Sequence, residues 1–354
     1  VEAMNKNQGN PIAKPRTGKA FSGRKIDNNL IRLFVILVAV TVVMGVLNKE
    51  FFTFSTFSSM GFSFPEFGIM AIATMLAMLS GGIDLSLVGI ANVAGIIAGL
   101  VFTKLMPKDT ADPTGFILLA ILVALAVGAA AGLINGFAIS KIGIPPILAT
   151  LGAQQLYIGL AKGITGGPAV FGFPEAFTNF GINSVFNIIP IPLIIFAVFV
   201  VIFYIALNKT TYGLKLYLMG TNPKASQFAG VKNDSIIMKT YMFCGMMAAF
   251  SGLIIMARSN SAKADYGTSY VLQVILIAVL GGVNPSGGFG KISGVVIAVL
   301  ILQFLSTGFT MLAFPSTARG FIWGAVLLIV MIANYILNTR SEKKKIKKQL
   351  EKSA

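Results

Sequence analysis

Ten apolar runs punctuate this 354-residue chain, near 30–47, 64–80, 87–103, 115–140, 146–161, 188–207, 236–257, 270–281, 292–312 and 320–337. A helix needs about 20 apolar residues to cross a bilayer core. With no water at that depth, each run must satisfy its own backbone hydrogen bonds, which only a helix does within one segment. The pattern predicts an all-α integral membrane protein, a polytopic bundle of about ten transmembrane helices. Charged residues are only 11% of the chain, against about a quarter in soluble domains. Little length remains for a separate soluble domain.

Charge sets the expected orientation. The net charge is +16, with seven Lys/Arg in residues 1–32, five in 208–239 and seven in 340–352. These clusters flank apolar runs, so the positive-inside rule accounts for them without nucleic acid, and anionic lipid is the expected contact. Ten crossings put the N- and C-termini and the 208–235 loop on the cytoplasmic side together. Residues 1–29 read as a basic flexible N-terminus, 30–337 as the membrane domain and 338–354 as a basic cytoplasmic tail. No short apolar signal segment opens the chain. On the expected outer face, residues 162–187 are rich in Gly, Pro and aromatics, and Glu66, Asp109, Asp112 and Asp265 fall in or near external loops.

Inside the basic loop, residues 212–231 form a polar island. Asn222 followed by Pro223 reads as an N-cap with proline in the first turn, and Gly230 as the stop. That leaves about seven residues, too short a helix to stand alone in water. Ala225 and Ala229 share a face, with Phe228 beside them. A docking helix for a partner protein and an ordinary capped loop helix both fit this spacing.

Two stretches break the apolar runs: Gly81-Gly82-Ile83-Asp84-Leu85-Ser86, and residues 281–290, which open with Gly281-Gly282. Gly-Gly and Ser recur at an offset of 200; a faint internal repeat of the kind transporter halves show and a chance match of a few short positions both fit. Irregular backbone at membrane depth must be covered by protein or line a cavity. Asp84 and Ser86 either cap the helix that starts near Leu87 or belong to the gate or path. Asn135, Thr150, Gln154, Gln155, Tyr157, Gln273, Gln303 and Asn334 are the neutral polar residues of the spans. They suit a sugar-like solute or tie helices together. Residues 128–132, Gly-Ala-Ala-Ala-Gly, mark a close helix contact.

Several chemistries are missing. A Walker A loop fails because Gly290-Lys291 is followed by Ile292 and residue 285 is proline. The chain therefore offers no cofactor or nucleotide site of its own, no catalytic constellation and, without histidine, no histidine metal site. Apart from Asp84 the span interiors offer no acid, which weighs against the alternative of an ion-coupled secondary transporter. The single cysteine, Cys244, reads as a small core residue.

The chain resembles the permease subunits of bacterial ABC importers, in the ribose/galactose branch related to the branched-chain amino acid permeases. The resemblance rests on residues 81–86, 132–136 with Asn135, 146–152 with Thr150, 220–225 with 229–231, and 278–282 with 287–288. It runs from about 64 to 337, departing at Leu87-Val88-Gly89. It implies a multi-pass protein of the bacterial inner membrane, translocating a monosaccharide or related small polar solute. It also implies a separate ATPase subunit that binds ATP, an extracytoplasmic solute-binding protein, and a second permease copy or paralogue. On this resemblance Gly220, Asn222, Pro223, Ala225, Phe228, Ala229 and Gly230 couple to the ATPase. Gly81, Gly82, Asp84, Ser86, Asn135, Thr150, Gly281 and Gly282 are the pathway or gate candidates.

Overall fold

A computed structural model describes residues 28–107, 110–315, 318 and 320–332. Asp109, Asn334, the N-terminal stretch to residue 27 and the tail 338–354 lie outside the described residues. The helices in chain order are α1 (Asn28–Leu47), α2 (Phe54–Leu79), α3 (Leu87–Leu100), α4 (Thr114–Phe137), α5 (Pro146–Thr165) and α6 (Glu175–Ile182). They continue as α7 (Ile191–Lys209), α8 (Thr211–Thr221), α9 (Pro223–Phe228), α10 (Asn233–Ser259), α11 (Tyr270–Leu280) and α12 (Ile292–Met311). The last is α13 (Gly320–Ile332). Each of the ten apolar runs holds a helix over most of its described residues, although 188–190 lie in a turn and a short strand before α7. Among the described residues, seven helices are long and apolar enough to cross a membrane; α11 and α13 are shorter, and α5 is more polar.

The helices fall into two kinds. α2, α3 and α10 are buried on nearly every side, whereas α1 buries little. Val46 on α1 is 79% exposed, and Leu122, Leu148 and Val201 on α4, α5 and α7 are also exposed. So much outward apolar surface is stable only in lipid. Without a hydrophobic drive between helices in a bilayer, close packing must hold the bundle together. The small stripe on α4 does this: a side chain on Gly132 would strike the Tyr241 carbonyl, and one on Gly245 the Gly128 carbonyl. α4 and α10 thus cross backbone against backbone. Cys244 is buried there, its Sγ 3.2 Å from the Ala73 carbonyl.

α8 and α9 occupy one end of the bundle. At the other lie two short antiparallel ladders, Val170–Phe171 with Ser261–Ala262 and Ser184–Val185 with Ile189–Pro190. The second is closed by Phe186 and Asn187, both at φ 55°, the backbone of a tight hairpin turn.

The two breaks share a design. α2 stops at Leu79, two residues before Gly81 at φ 87°, and α11 stops at Leu280, two residues before the matching glycine, Gly282, also at φ 87°. That left-handed conformation favours glycine. Around Gly81, Gly82 N–H reaches the Ala77 carbonyl at 3.1 Å and Gly81 N–H the Met78 carbonyl at 2.9 Å. Around Gly282, Val283 N–H reaches Ala278 at 3.0 Å and Gly282 N–H reaches Val279 at 3.1 Å. Both are Schellman caps. Each is followed by an Asx turn: Ser86 N–H to Asp84 Oδ1 at 2.9 Å, and Ser286 N–H to Asn284 Oδ1 at 3.0 Å. The turns repeat at the expected offset of 200, but by conformation Gly81 pairs with Gly282, one residue further on than Gly281.

The structure corrects two expectations. α2 begins at Phe54, ten residues before the expected 64, because Ser and Thr dilute its first turns below a hydropathy reading. Glu66 is therefore not in an external loop; it lies mid-helix with no exposed surface. Its Oε1 accepts from Arg258 Nη2 at 2.8 Å and from the Tyr270 hydroxyl, while Ser251 donates to its backbone carbonyl. The span interiors thus hold a second acid besides Asp84, and it is paired.

Candidate functional site

The short helix in the basic loop forms as its sequence dictates. Asn222 accepts from Ala225 N–H at 3.0 Å, Pro223 takes the first position, and Gly230 at φ 80° ends the helix. Six residues are helical. Ser226 alone among them turns inward, donating to Asn233 Oδ1 at 2.9 Å, while Asn233 Nδ2 donates to the Pro223 carbonyl at 2.8 Å. These bonds hold α9 to the start of α10. Ala225, Phe228 and Ala229 all face outward, Phe228 at 93% exposure. A hollow of about 700 Å³ adjoins it, lined by Gln227, Gly230, Lys232, Asp234 and Met238 among others.

Gly220 stands apart from the other loop candidates. It is buried at the end of α8, where a side chain would strike the Leu79 carbonyl and the Gly288 backbone. Gly288 N–H itself donates to Leu79 O at 3.1 Å, and Tyr217 Oη donates to Gly290 O at 2.8 Å. The loop therefore bears directly on the end of α2 and on the second break. α8 itself was missed in the sequence, because its polar and apolar residues alternate without a long apolar run.

Of the pathway candidates, Asp84, Ser86, Asn135 and Thr150 come together, all buried. Ser86 Oγ donates to Asp84 Oδ1 at 2.6 Å, and Asn135 Nδ2 donates to Ser86 Oγ at 2.7 Å. Tyr157 Oη lies 3.2 Å from Asn135 Oδ1 and 3.0 Å from the Ala131 carbonyl. Thr150 accepts from Leu85 N–H at 3.1 Å, with Ile83 O and Pro146 O in reach of its hydroxyl. The first break is thus stitched to α4 and α5. The expected capping of α3 does not occur: Ser86 occupies the N-cap position with helical dihedrals and no side-chain cap bond. Asp84 Oδ1 is taken by Ser86 itself, and Ser86 Oγ by Asn135. Gly82 packs against Pro146 and Tyr241 beside this cluster. Gly281 and Gly282 lie outside it, against Gly294 and against Asn29.

A polytopic bundle with two covered breaks, and a capped helix exposed at one end, is the architecture of a membrane transport protein. Residues 56–331 match the family described as branched-chain amino acid transport system / permease component, and the chain belongs to that family. Among curated proteins it is similar to the autoinducer 2 import system permease protein LsrD of Yersinia pestis (strain Pestoides F). The two are 30% identical over 312 residues, covering 86% of this chain and 91% of the relative. LsrD of Escherichia coli O9:H4 (strain HS) is 30% identical over 312 residues, covering 86% and 92%. No solved structure gives a significant match.

Proposed function

We propose that this chain is the permease subunit of an ATP-driven importer in the bacterial inner membrane, moving a small polar solute such as a monosaccharide. The observation that carries the reading is α9: a capped helix that presents Ala225, Phe228 and Ala229 outward. The loop that holds it presses, through Gly220, on both Leu79 and Gly288. The ATPase subunit grips α9 from the cytoplasm, and its ATP-driven motion passes through α8 to the two breaks as a rigid-body shift. Asp84, Ser86, Asn135 and Thr150 hold the first break firm so that the shift moves helices rather than melting a loop. Gly81, Gly82, Gly281 and Gly282 shape the hinges. An extracytoplasmic binding protein hands solute to the opposite end, and a second permease copy or paralogue completes the pathway. The names of the LsrD relatives support solute import.

The test is co-purification. Phe228→Asp puts a charge where an apolar anchor docks, and recovery of the ATPase subunit with the permease should fall sharply while membrane insertion persists. Unchanged recovery refutes the docking role. Buried Glu66 is the observation that favours an ion-coupled carrier, yet Arg258 already neutralises it at 2.8 Å. Uptake driven by an ion gradient with no ATPase subunit present would decide for that second reading.

A further inference from the structure

The end of the bundle remote from α9 carries an apolar surface that the transport reading leaves unused. Between the end of α6 and the start of α7, Phe180, Ile182, Val185, Phe186, Ile188 and Ile189 are all exposed. No charged residue stands between Glu175 and Lys209. Turned toward water, so dense an apolar patch would be a liability unless something covered it.

The hairpin that carries the patch is firmly seated at its base. Pro190 is buried, and a side chain on Gly61 of α2 would strike its ring. Ile191 N–H donates to the Asn183 carbonyl at 3.0 Å, and Ile188 N–H to the Val185 carbonyl at 3.1 Å. The tip is different. Phe186 and Asn187 both stand at φ 55°. Asparagine tolerates that left-handed backbone, whereas a bulky side chain there is an outlier. Tight hairpin turns prefer Gly, Asn or Asp at such positions. Phe186 is nonetheless 87% exposed, so no packing within the chain repays the strain. A residue held against its backbone preference points to a role for its side chain.

Depth identifies what the ring meets. The 19 residues of α7 end at Lys209, on the side that leads into α8. At the rise of an α-helix they reach about 28 Å, close to the roughly 30 Å of a hydrocarbon core. With Lys209 at one boundary, Ile191 lies at the other, and the hairpin falls in the headgroup region beyond it. Ile194, Val198 and Val201 turn outward along α7. Ile188 and Ile189 run straight into that lipid-facing strip.

We propose that the 184–190 hairpin is a membrane-interface anchor, with the Phe186 ring set into the boundary between lipid headgroups and acyl chains. Apolar surface that leaves water at that boundary drives such binding, and an uncharged segment meets no electrostatic barrier there. Asn183 and Asn187 keep donors and acceptors for the headgroups. The anchor holds the far end of α7. Its near end passes through Thr210 into α8, and α8 leads to α9. Whatever acts on the docking loop then tilts a helix whose far end is fixed in lipid.

The test measures spin-label depth in the full chain, reconstituted in vesicles of phosphatidylethanolamine and phosphatidylglycerol. In a Cys244→Ser background, Phe186→Cys carries the label at the tip. Val201→Cys is the lipid reference, and Asp112→Cys, exposed in the loop before α4, is the aqueous one. Collision with oxygen, which partitions into lipid, is compared with collision with a nickel chelate, which stays in water. The ratio at Phe186 should lie nearer that of Val201 than that of Asp112. A label as open to nickel as Asp112 overturns the anchor and leaves the patch to a protein partner from the aqueous side. A label shielded from both reagents overturns it as well, since protein then covers the tip. Should Phe186→Cys fail to insert, Ile188→Cys with Phe186 in place gives the same reading. The ring itself is tested by adding Phe186→Asn to Ile188→Cys. Asparagine suits the turn, so the hairpin persists. Without the ring, the Ile188 label should shift from the Val201 value toward the Asp112 value. A label that does not move would show that Phe186 anchors nothing.

Discussion

The two breaks in the bundle begin alike and are then held in place by different means. Both open with a Schellman cap on a left-handed glycine and continue into an Asx turn. The first, residues 80–86, is then fixed by side chains: Asp84 to Ser86, Ser86 to Asn135, Thr150 to the backbone at Ile83 and Leu85. The second, residues 281–290, is fixed chiefly by backbone contact, with Gly287 and Gly288 against Gly220 and Thr221, and Gly288 N–H on Leu79 O. One break depends on particular polar groups, the other on the absence of side chains. A polar cluster buried in a low-dielectric interior is specific, and costly if left half satisfied. A glycine contact carries no such chemistry but tolerates no added volume. Under the proposed function, the side-chain-locked break is the fixed frame and the glycine-packed one is the surface on which the 208–235 loop bears.

That contrast is most exposed at Gly220. Gly220→Val places atoms against the Leu79 carbonyl and the Gly288 backbone, neither of which is a flexible side-chain end. Overpacking of this kind costs about 1–3 kcal/mol or more, and here it also wedges α8 away from both breaks. Monodisperse protein recovered in detergent should collapse. Gly152→Val, at a site with nothing within 4 Å of the added carbon, should leave recovery intact. Equal recovery of the two variants would remove the claim that glycines hold the second break.

Next in size is Asp84→Ala. It strips the acceptor from Ser86 N–H and the Ser86 hydroxyl, both buried, and an unsatisfied buried donor costs about 1–3 kcal/mol. Asp84→Asn gives the first break the side chain of the second, and its amide oxygen still accepts. Thermal unfolding should place the asparagine variant between wild type and alanine. An alanine variant as stable as wild type would show that the polar cluster holds nothing.

The sequence announced some of this and hid the rest for identifiable reasons. The ten runs were visible because each is locally apolar, and α9 was visible because Asn222, Pro223 and Gly230 act within a few residues of one another. The α4–α10 crossing showed in residues 128–132 for the same reason. The start of α2 did not, because a hydropathy window averages Ser55, Ser59 and Ser63 away; their four-residue spacing was the signal that went unread. Glu66 was misplaced along with that boundary. Its partner Arg258 is 192 residues distant, and no local pattern encodes such a pair. The Asp84 cluster was half legible: its members stood out one by one as polar residues in apolar runs, but their meeting is a property of the fold. The capping offered to Asp84 and Ser86 did not form: Asp84 Oδ1 is held in its own turn by Ser86, Asp84 Oδ2 finds no partner among the described residues, and Ser86 sits at the N-cap with helical dihedrals.

The gentlest change tests the comparison from its other side. Asn284→Ala removes the Asx turn of the second break, the counterpart of what Asp84→Ala removes from the first. Ser286 is exposed and Asn284 only partly buried, so water can take over the freed N–H. The loss should be near the low end for a hydrogen bond, about 0.5 kcal/mol. The backbone contacts of Gly287 and Gly288 do not involve this side chain and should keep the break in place. Thermal unfolding of Asn284→Ala beside Asp84→Ala therefore measures the asymmetry directly. Equal destabilisation would mean that both breaks are locked by their polar turns, and the second could not then serve as the yielding surface beneath α8.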